Sequence, residues 1–453
     1  MKVKKIYKYL MISFGALLLG SCTSTEVDAK FDENATERLS GRKKELNDLL
    51  LSSADGWKAV YYTDSTQLGG WTHLFKFLPK GEVDMASDFT KSDGNTDTGI
   101  YRSQYEMQMG STVSLVFTTQ NRIHLLSDAG NSPTAALLAK GYLGDFQFYY
   151  YGQKNGEIIF RTNRNGHFLR FVKATAQDWT DLAKNKPMIK SLNGDMFSPL
   201  FRLMETNDGT ATHKFEFDYN TNARFGTAYS LEAGSQEAYD LAFAFTPTGI
   251  VSKLPVIVKG QELTNFIYDS ATNNFVATGT NGVSATLKFT NAPPTVTDDY
   301  KLLLSGKGNP QIVVGYIAAN LATAPTTSDY FRYLVSRLNA SLAAGQSLSR
   351  IQMYFNTAAN QTYINYQFVG KTAVNHIVTS SEDPVNKTII LTNLGWATGA
   401  TAADVALLRE IDNELTNPKG LYIKKESFRI TYSNPIYTLA SASSSFRMTT
   451  YQL

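Results

Sequence analysis

Apolar and polar residues alternate along most of the chain between residues 57 and 172. A period of two is the spacing of a strand that buries one face, and turn clusters such as 79–81 and 152–156 separate the segments that carry it. These segments are 57–63, 71–77, 82–85, 101–109, 113–117, 123–126, 145–151, 157–161 and 168–172. Eight or nine short strands in succession predict an antiparallel barrel or sandwich.

Helical spacing occurs in a few places around these strands. Leucines at positions 39, 46, 49 and 50 form one stripe and predict a first helix over 36–53. Ser132 as N-cap, Pro133 and a closing Gly141 predict a short helix within the strand region. Thr175 and Asp178 have the spacing of a capping box, which predicts a further helix that ends before Pro187.

Two distant segments share one pattern. Residues 75–83 (FKFLPKGEV) align without gaps with residues 243–251 (FAFTPTGIV) and share Phe, Phe, Pro, Gly and Val at alternate positions. Each pattern is typical of a hairpin. The match favours a duplication, although convergent hairpin composition is the alternative interpretation.

The pattern after Pro293-Pro294 mixes helices and strands. Amphipathic helices are predicted over 325–344 and 401–415, with strands over 351–356, 363–369, 387–392, 421–425 and 437–451. The predicted fold class is β-rich α+β: tandem antiparallel, lipocalin-like barrels or sandwiches with short helices, followed by an α+β C-terminal part. The predicted boundaries are 1–21 for a signal peptide, 22–34 for a lipidated tether, 35–174 and 175–295 for two repeat-related units, and 296–453 for the C-terminal part, which could instead complete the second unit.

The start of the chain predicts export and lipidation. Four lysines precede an apolar segment over 10–20 that is too short to span a bilayer, which is typical of a signal peptide. It ends in Leu19-Gly20-Ser21-Cys22, the pattern of a bacterial lipobox, and Cys22 is the single cysteine. We therefore expect acylation of Cys22 and anchoring in the outer membrane, with the face of that membrane left open.

Charge and composition exclude several classes of protein. Loss of the four lysines would bring the mature chain from a formal charge of +3 close to neutrality, without any basic block, so nucleic acid is not an expected partner. A single cysteine forms no internal disulfide and no cysteine-rich zinc site. No nucleophile elbow, phosphate loop, dinucleotide turn or zinc helix is present, and no cofactor is predicted.

Candidate sites are consequently few. The five histidines are scattered, and His73 shares a strand face with aromatic residues, which favours a core position. Asp93, Asn95 and Asp97 alternate in a loop as calcium ligands do, but position twelve is Gln104 where an EF-hand has Glu. A solvated loop is the favoured interpretation, and no metal site is predicted.

Aromatic side chains are the remaining candidates for ligand contact. A five-residue loop over 152–156 would pair Tyr151 with Glu157, so that Tyr149 and Tyr151 point away from the core beside Asp145 and Glu157. Trp396, between a strand and a helix, is the tryptophan expected to be most exposed. Flat rings with polar edges suit glycan or peptide ligands, so these three residues are the predicted contacts.

Several features together resemble a known family. They are the lipobox, Phe31-Asp32-Glu33, Arg38, Gly56-Trp57, Gly69-Gly70-Trp71, Leu125-Leu126-Ser127-Asp128 and Gly144-Asp145-Phe146. The chain resembles a Bacteroidota lipoprotein family catalogued as a domain of unknown function (number 4302). The resemblance implies an envelope role beside outer-membrane nutrient-import proteins, and it brings no activity and no catalytic residues.

The sequence therefore favours a non-catalytic envelope lipoprotein, an accessory binding protein of an outer-membrane uptake system with a glycan or peptide ligand. One alternative is a structural or assembly partner of an envelope complex, which would present a flat apolar patch. The other is a carboxylate-dependent hydrolase, which would bring two carboxylates together in a pocket.

Overall fold

The computed structural model describes residues 34–91, 94–304, 307–357 and 361–453. Within these ranges the chain forms three closed barrels in tandem, each of eight antiparallel strands. In every barrel successive strands pair with their sequence neighbours, and the last strand pairs with the first. Closing a sheet into a barrel pairs its two edge strands with each other. The predicted mainly β fold of tandem barrels with short helices is confirmed.

The first barrel follows helix α1 (Ala35–Leu51). Its strands are β1 (Trp57–Tyr62), β2 (Gly70–Leu78), β3 (Glu82–Ser87), β4 (Tyr101–Met109), β5 (Val113–Phe117), β6 (Gln147–Lys154), β7 (Glu157–Thr162) and β8 (Phe168–Lys173). Asn34 and Glu37 form a capping box at the start of α1. Leu46 and Leu50 of this helix are fully buried in the barrel core, and the Trp57 indole donates a 3.0 Å hydrogen bond to the Leu50 carbonyl. Helix α1 thus closes one end of the first barrel.

The second barrel follows helices α2 (Ala176–Asp181) and α3 (Asn185–Asn193). Its strands are β9 (Phe201–Asp208), β10 (Thr212–Asn220), β11 (Phe225–Ser230), β12 (Ala238–Thr246), β13 (Gly249–Val258), β14 (Gln261–Asp269), β15 (Asn274–Thr278) and β16 (Val283–Thr290). Ile189 and Leu192 of α3 belong to its core. Strand β16 pairs with β9 along its whole length, from Val283 opposite Asp208 to Thr290 opposite Phe201.

The C-terminal part closes on itself as a third barrel instead of completing the second. Its strands are β17 (Ile312–Ile317), β18 (Ser347–Phe355), β19 (Thr362–Val369), β20 (Val374–Asp383), β21 (Thr388–Trp396), β22 (Leu421–Glu426), β23 (Ile436–Ser441) and β24 (Arg447–Gln452). Helices α4 (Ala318–Leu321), α5 (Asp329–Ala340) and α6 (Ala402–Leu415) lie between them. The sequence analysis missed β17 and β20 and merged β23 with β24, so the closure of this barrel was not predicted.

Two further predictions within the first barrel are wrong. Residues 123–126, expected to be a strand, lie in a 3₁₀ helix (Arg122–Leu126) that Asn121 caps. A 3₁₀ helix has three residues per turn, so Ile123 and Leu126 fall on one side and both are buried. The helix expected at 132–141 is reduced to one 3₁₀ turn (Ala135–Leu137), with Ala139 in the left-handed region.

A buried ion pair joins the first two barrels. The Arg224 guanidinium, 2% exposed, lies 3.0 Å from Asp88 Oδ1, and the Asp88 side chain is completely buried. Arg224 also donates to the Gly70 carbonyl at 3.0 Å and lies over the rings of Trp71 and Phe245. Asp88 additionally accepts from the Thr72 amide and from the Asn185 side chain. Backbone contact is close as well, because Gly69 N donates to the Ala223 carbonyl at 2.8 Å.

The two hairpins with matching sequences are not equivalent strand for strand. Residues 75–83 belong to β2 and β3, the second and third strands of their barrel, whereas residues 243–251 belong to β12 and β13, the fourth and fifth strands of theirs. Phe77 pairs with Val83 across a three-residue turn, while Phe245 pairs with Ile250 across a two-residue turn. The barrels are repeat-like tandem units, yet the hairpin alignment does not superpose one barrel on the next in strand order.

Candidate ligand-binding site

Tyr149 and Tyr151 lie together on the outside of the first barrel. Asn155 and Gly156 both have positive φ, so strands β6 and β7 are joined by a tight two-residue turn with Lys154 opposite Glu157. The five-residue loop expected here is therefore wrong, because an Asn-Gly pair favours the shorter turn. A bulge between Tyr150 and Gly152 restores the register, so Tyr150 still faces the core and its two neighbours still face outward.

The two tyrosines line a surface pocket of about 530 Å³. The loop after β7 and the turn between β4 and β5 complete its wall. Its lining consists of Ser111, Thr112, Tyr149, Tyr151, Arg161, Thr162, Asn163, Arg164, Asn165 and Gly166. Tyr151 is 50% exposed and packs edge-on against Phe168, which is itself 63% exposed. The Tyr149 hydroxyl donates to Asn163 Oδ1. The pocket thus combines two aromatic rings with amide and guanidinium groups.

Hydrogen bonds within the first barrel hold the loop 162–167 in place. Thr162 N donates to the His167 carbonyl at 2.9 Å, and His167 N donates to Thr162 Oγ1 at 2.9 Å. Arg164 N donates to Asp145 Oδ2 at 2.7 Å. The four residues between the loop ends are therefore presented to solvent by a fixed backbone.

Carboxylates do not lie beside the two rings in the way the sequence analysis expected. Asp145 is buried, and its oxygens accept from the backbone amides of Phe146, Gln147 and Arg164. Glu157 accepts from Arg170 at 2.9 Å. Asp145 and Glu157 were expected beside the two tyrosines because a five-residue loop was assumed. With the register that the structure has, Tyr149 is opposite Arg161.

Sequence reasoning missed Arg161, Arg164, Asn163 and Asn165. They belong to the run Arg161-Thr-Asn-Arg-Asn-Gly166, which directly follows β7. The Asn-Gly turn at 155–156 could have revealed them, because it fixes the register of the hairpin and thereby brings the end of β7 beside Tyr149.

Trp396 lies in the third barrel and does not share this pocket. Its indole stacks on the His376 ring at 4.4 Å and is partly buried against the core. His376 Nδ1 lies 2.8 Å from Asp412 Oδ1, which also accepts from the Tyr366 hydroxyl at 2.7 Å. Burial lowers the pKa of His376, but its hydrogen bonds to Asp412 and Asn393 outweigh burial and raise the pKa on balance. Trp396 covers this buried polar network.

In the described part of the candidate calcium loop, the carboxylate of Asp97 is already bound by other groups of the protein. Asp97 accepts from the Tyr101 hydroxyl at 2.7 Å and from Gly99 N, and it forms an ion pair with Arg122. These contacts hold the pKa of Asp97 well below its usual range. A carboxylate already paired with a guanidinium is a poor calcium ligand. Asp93 lies outside the described residues.

A second cleft, of about 390 Å³, lies between the first two barrels. Its walls are mainly apolar and include Val60, Phe245 and Pro247. Lys58 pairs with Asp178 at 2.5 Å. Burial raises the pKa of Asp178, but hydrogen bonds from Lys58 and Thr175 outweigh burial and lower it on balance. Asp181, the second carboxyl group that lines this cleft, also has a lowered pKa, through hydrogen bonds from Lys184 and Gln177. Neither carboxyl group therefore has the raised pKa that a general acid of a glycosidase needs.

Comparison with known families identifies the chain. The model of the family described as "Domain of unknown function (DUF4302)" matches residues 27–270, which is more than half of the chain. The chain belongs to this family. The match includes the first barrel, with the tyrosine pocket, and the second barrel through β14.

Other comparisons add little to the family assignment. No curated protein matches the chain. A solved structure, the DNA polymerase sliding clamp from Bacillus subtilis, matches with 9% sequence identity over 92% of this chain and 96% of that chain. Its TM-score is 0.15, so this likeness carries no argument about fold or function.

The predicted signal peptide, Cys22 and nearly all of the tether lie outside the described residues. Among the residues described, no helix is both long enough and apolar enough to span a membrane.

Proposed function

We propose that this protein is a non-catalytic, lipid-anchored envelope protein that binds a glycan as an accessory of an outer-membrane nutrient-uptake system. The pocket at Tyr149 and Tyr151 supports the binding role more than any other feature. Tyrosine rings pack against the apolar faces of sugar rings, while amide and guanidinium groups hydrogen-bond to hydroxyl groups. The lipobox at Cys22 and the family resemblance support the envelope location.

The ionisable groups near the two clefts favour binding over hydrolysis. A hydrolase of the carboxylate type needs one carboxyl group that keeps its proton near neutral pH. Among the described residues, the carboxyl groups with displaced pKa values are displaced downward, including Asp178 and Asp181 in the cleft between the first two barrels. No carboxylate lines the tyrosine pocket itself.

Replacing both tyrosines by alanine tests the site. We expect the Tyr149→Ala/Tyr151→Ala variant to lose ~1 to 3 kcal/mol of glycan-binding free energy, because exposed aromatic anchors carry a large share of such binding. The free energy of unfolding should change by less than ~1 kcal/mol, since truncating surface rings leaves no core cavity. Binding is measured by calorimetric titration with ligands from a glycan array, and stability is measured by thermal melting.

Tyr229→Ala is the matched control, because Tyr229 is 58% exposed on the second barrel. It should leave both quantities unchanged. A loss of several kcal/mol of stability in the double variant would assign the two rings to packing. If the wild-type protein bound peptides and no glycan, the ligand class would be peptides instead of glycans.

Fractionation tests the envelope location. Wild-type protein should be recovered with the outer membrane, while Cys22→Ala should lose the lipid and be released into the soluble fraction, because no second anchor is predicted. Equal membrane recovery of the two proteins would contradict lipidation at Cys22.

A further inference from the structure

The tyrosine pocket contains two arginines whose charge is not balanced by a described carboxylate, unlike the other arginines of this barrel. Five arginines lie between residues 57 and 173. Arg102, Arg122 and Arg170 each form an ion pair with a carboxylate. Arg161 and Arg164 have no carboxylate partner among the residues that the structure describes, and both line the pocket. The two unpaired guanidinium groups of the barrel are thus brought to the same place.

Contacts with the loop hold the Arg161 guanidinium in position. Its Nε donates to the Gly166 carbonyl at 2.8 Å, and Nη1 donates to the Tyr151 hydroxyl at 3.2 Å. Gly166 has φ of 68°, and a Cβ atom at this position would lie 2.8 Å from Nη2 of Arg161 and 2.9 Å from its Nε. Glycine therefore supplies both the left-handed backbone and the space in which the guanidinium lies. Three of the five guanidinium N–H groups remain for a ligand.

Arg164 is placed by its backbone instead. Its amide donates to buried Asp145, and the one hydrogen bond of its side chain to a described residue runs from Nη1 to the Lys140 carbonyl at 3.3 Å. Asp145 already accepts three backbone N–H groups and is buried behind the loop. A ligand therefore meets two guanidinium groups at the surface and no exposed carboxylate of the lining.

We propose that the ligand of this pocket is an acidic glycan, whose carboxylate or sulfate group binds Arg161 and Arg164 while a sugar ring packs on Tyr149 and Tyr151. This inference rests on the proposed glycan-binding function and narrows its ligand class. Guanidinium groups bind carboxylates and sulfates through paired, charge-assisted hydrogen bonds. In a chain whose mature form is predicted to be nearly neutral, an unpaired local positive charge favours an anionic partner.

The test compares an acidic glycan with its neutral ester and with a sulfated glycan. Oligogalacturonides, their methyl esters and a sulfated galactan oligosaccharide are titrated into the detergent-solubilised mature lipoprotein. We expect at least one of the two acidic ligands to bind about tenfold or more tightly than the neutral ester, and raising the salt concentration from about 0.1 M to 1 M should remove most of that preference. The two acidic ligands distinguish a carboxylate from a sulfate.

Substitutions connect the preference to the two arginines. Arg161→Gln and Arg164→Gln should each weaken binding of the preferred acidic ligand about tenfold and change binding of the neutral ester little. Arg102→Gln, an exposed arginine on the same barrel outside the pocket, is the control and should change neither. Gly166→Ala should weaken acidic binding in the same way, because it displaces the Arg161 guanidinium.

The outcomes separate the two proposals. Equal binding of ester and acid, with loss of both in the double tyrosine variant, would overturn the acidic preference and leave glycan binding in place. Acidic binding that Arg161→Gln and Arg164→Gln do not change would also overturn the inference. Absence of binding to every acidic and neutral glycan of the array would overturn the proposed function together with this inference.

Discussion

Replacing Asp88 by alanine should lower the free energy of unfolding by about 3 to 5 kcal/mol, because removal of one partner leaves a buried charge without compensation. The charge left behind is Arg224, which is 2% exposed and belongs to the second barrel. Water cannot replace the lost carboxylate readily, since the Trp71 and Phe245 rings cover the guanidinium. The Thr72 amide and the Asn185 side chain would lose an acceptor as well.

Asp84→Ala is the matched control. Asp84 also binds an arginine in the first barrel, at 2.7 Å, but the Arg102 side chain is 56% exposed. Exposed pairs contribute about 0 to 1 kcal/mol, so this variant should unfold almost as the wild type does. Denaturant titration of both variants measures the difference. Equal losses of stability would show that the junction between the barrels does not depend on the buried pair.

The same ion pair shows why much of the tertiary structure could not be predicted from sequence. Asp88 directly follows β3 and Arg224 directly precedes β11. The sequence around each residue does not indicate that the other is its partner. Periodicity specifies which face of a strand is buried, but it does not specify which strand or which barrel lies against it. The contact between the first two barrels, and the cleft beside it, are consequences of packing between distant segments.

Local structure was predicted well where patterning and turn chemistry agreed. Strands β4 and β5 have the predicted bounds, because their alternation runs between clear turn signals. The segment 123–126 failed because a short apolar run fits a strand and a 3₁₀ turn equally well. The closure of the third barrel was missed because β17 and β20 were not recognised, and without them the remaining strands and helices resemble an open α+β unit.

The candidate site was likewise predicted correctly in one respect and wrongly in another. The outward direction of Tyr149 and Tyr151 was predictable from alternation with the apolar core residues of β6. Their neighbours were predicted wrongly, because the predicted loop was three residues longer than the turn at Asn155-Gly156. Because of that error, carboxylates were expected beside the two tyrosines where the structure has arginines. The correction changes the ligand charge that the site would favour from positive to negative.

Acidification should destabilise the first barrel through His73. This side chain is fully buried on β2, where Nδ1 lies 3.1 Å from the Trp71 carbonyl and Nε2 has no hydrogen-bond partner among the described residues. Burial lowers the pKa of His73 from 6.5 to about 4. The unfolded chain therefore binds a proton in the range between these values, while the folded chain does not. The contribution of neutral His73 to the free energy of unfolding is complete above pH 6.5 and is lost as the pH falls towards 4.

The expected size of this effect follows from the two pKa values. Between pH 7 and pH 5 the free energy of unfolding should fall by ~2 kcal/mol through His73 alone, with a limit near ~3 kcal/mol at lower pH. Denaturant titrations followed by tryptophan fluorescence suit the measurement, because Trp57 and Trp71 are buried in this barrel.

His73→Phe isolates the effect of the imidazole from that of the other titrating groups. Phenylalanine keeps an aromatic ring beside Phe75, on which His73 stacks at 6.0 Å between ring centroids, and it carries no proton in this range. The variant should lose ~2 kcal/mol less stability than the wild type between pH 7 and pH 5, whatever its stability at neutral pH. Carboxyl groups remain mostly ionised over this interval and contribute similarly to both proteins. An identical pH dependence in the two proteins would show that His73 is not kept neutral by the fold.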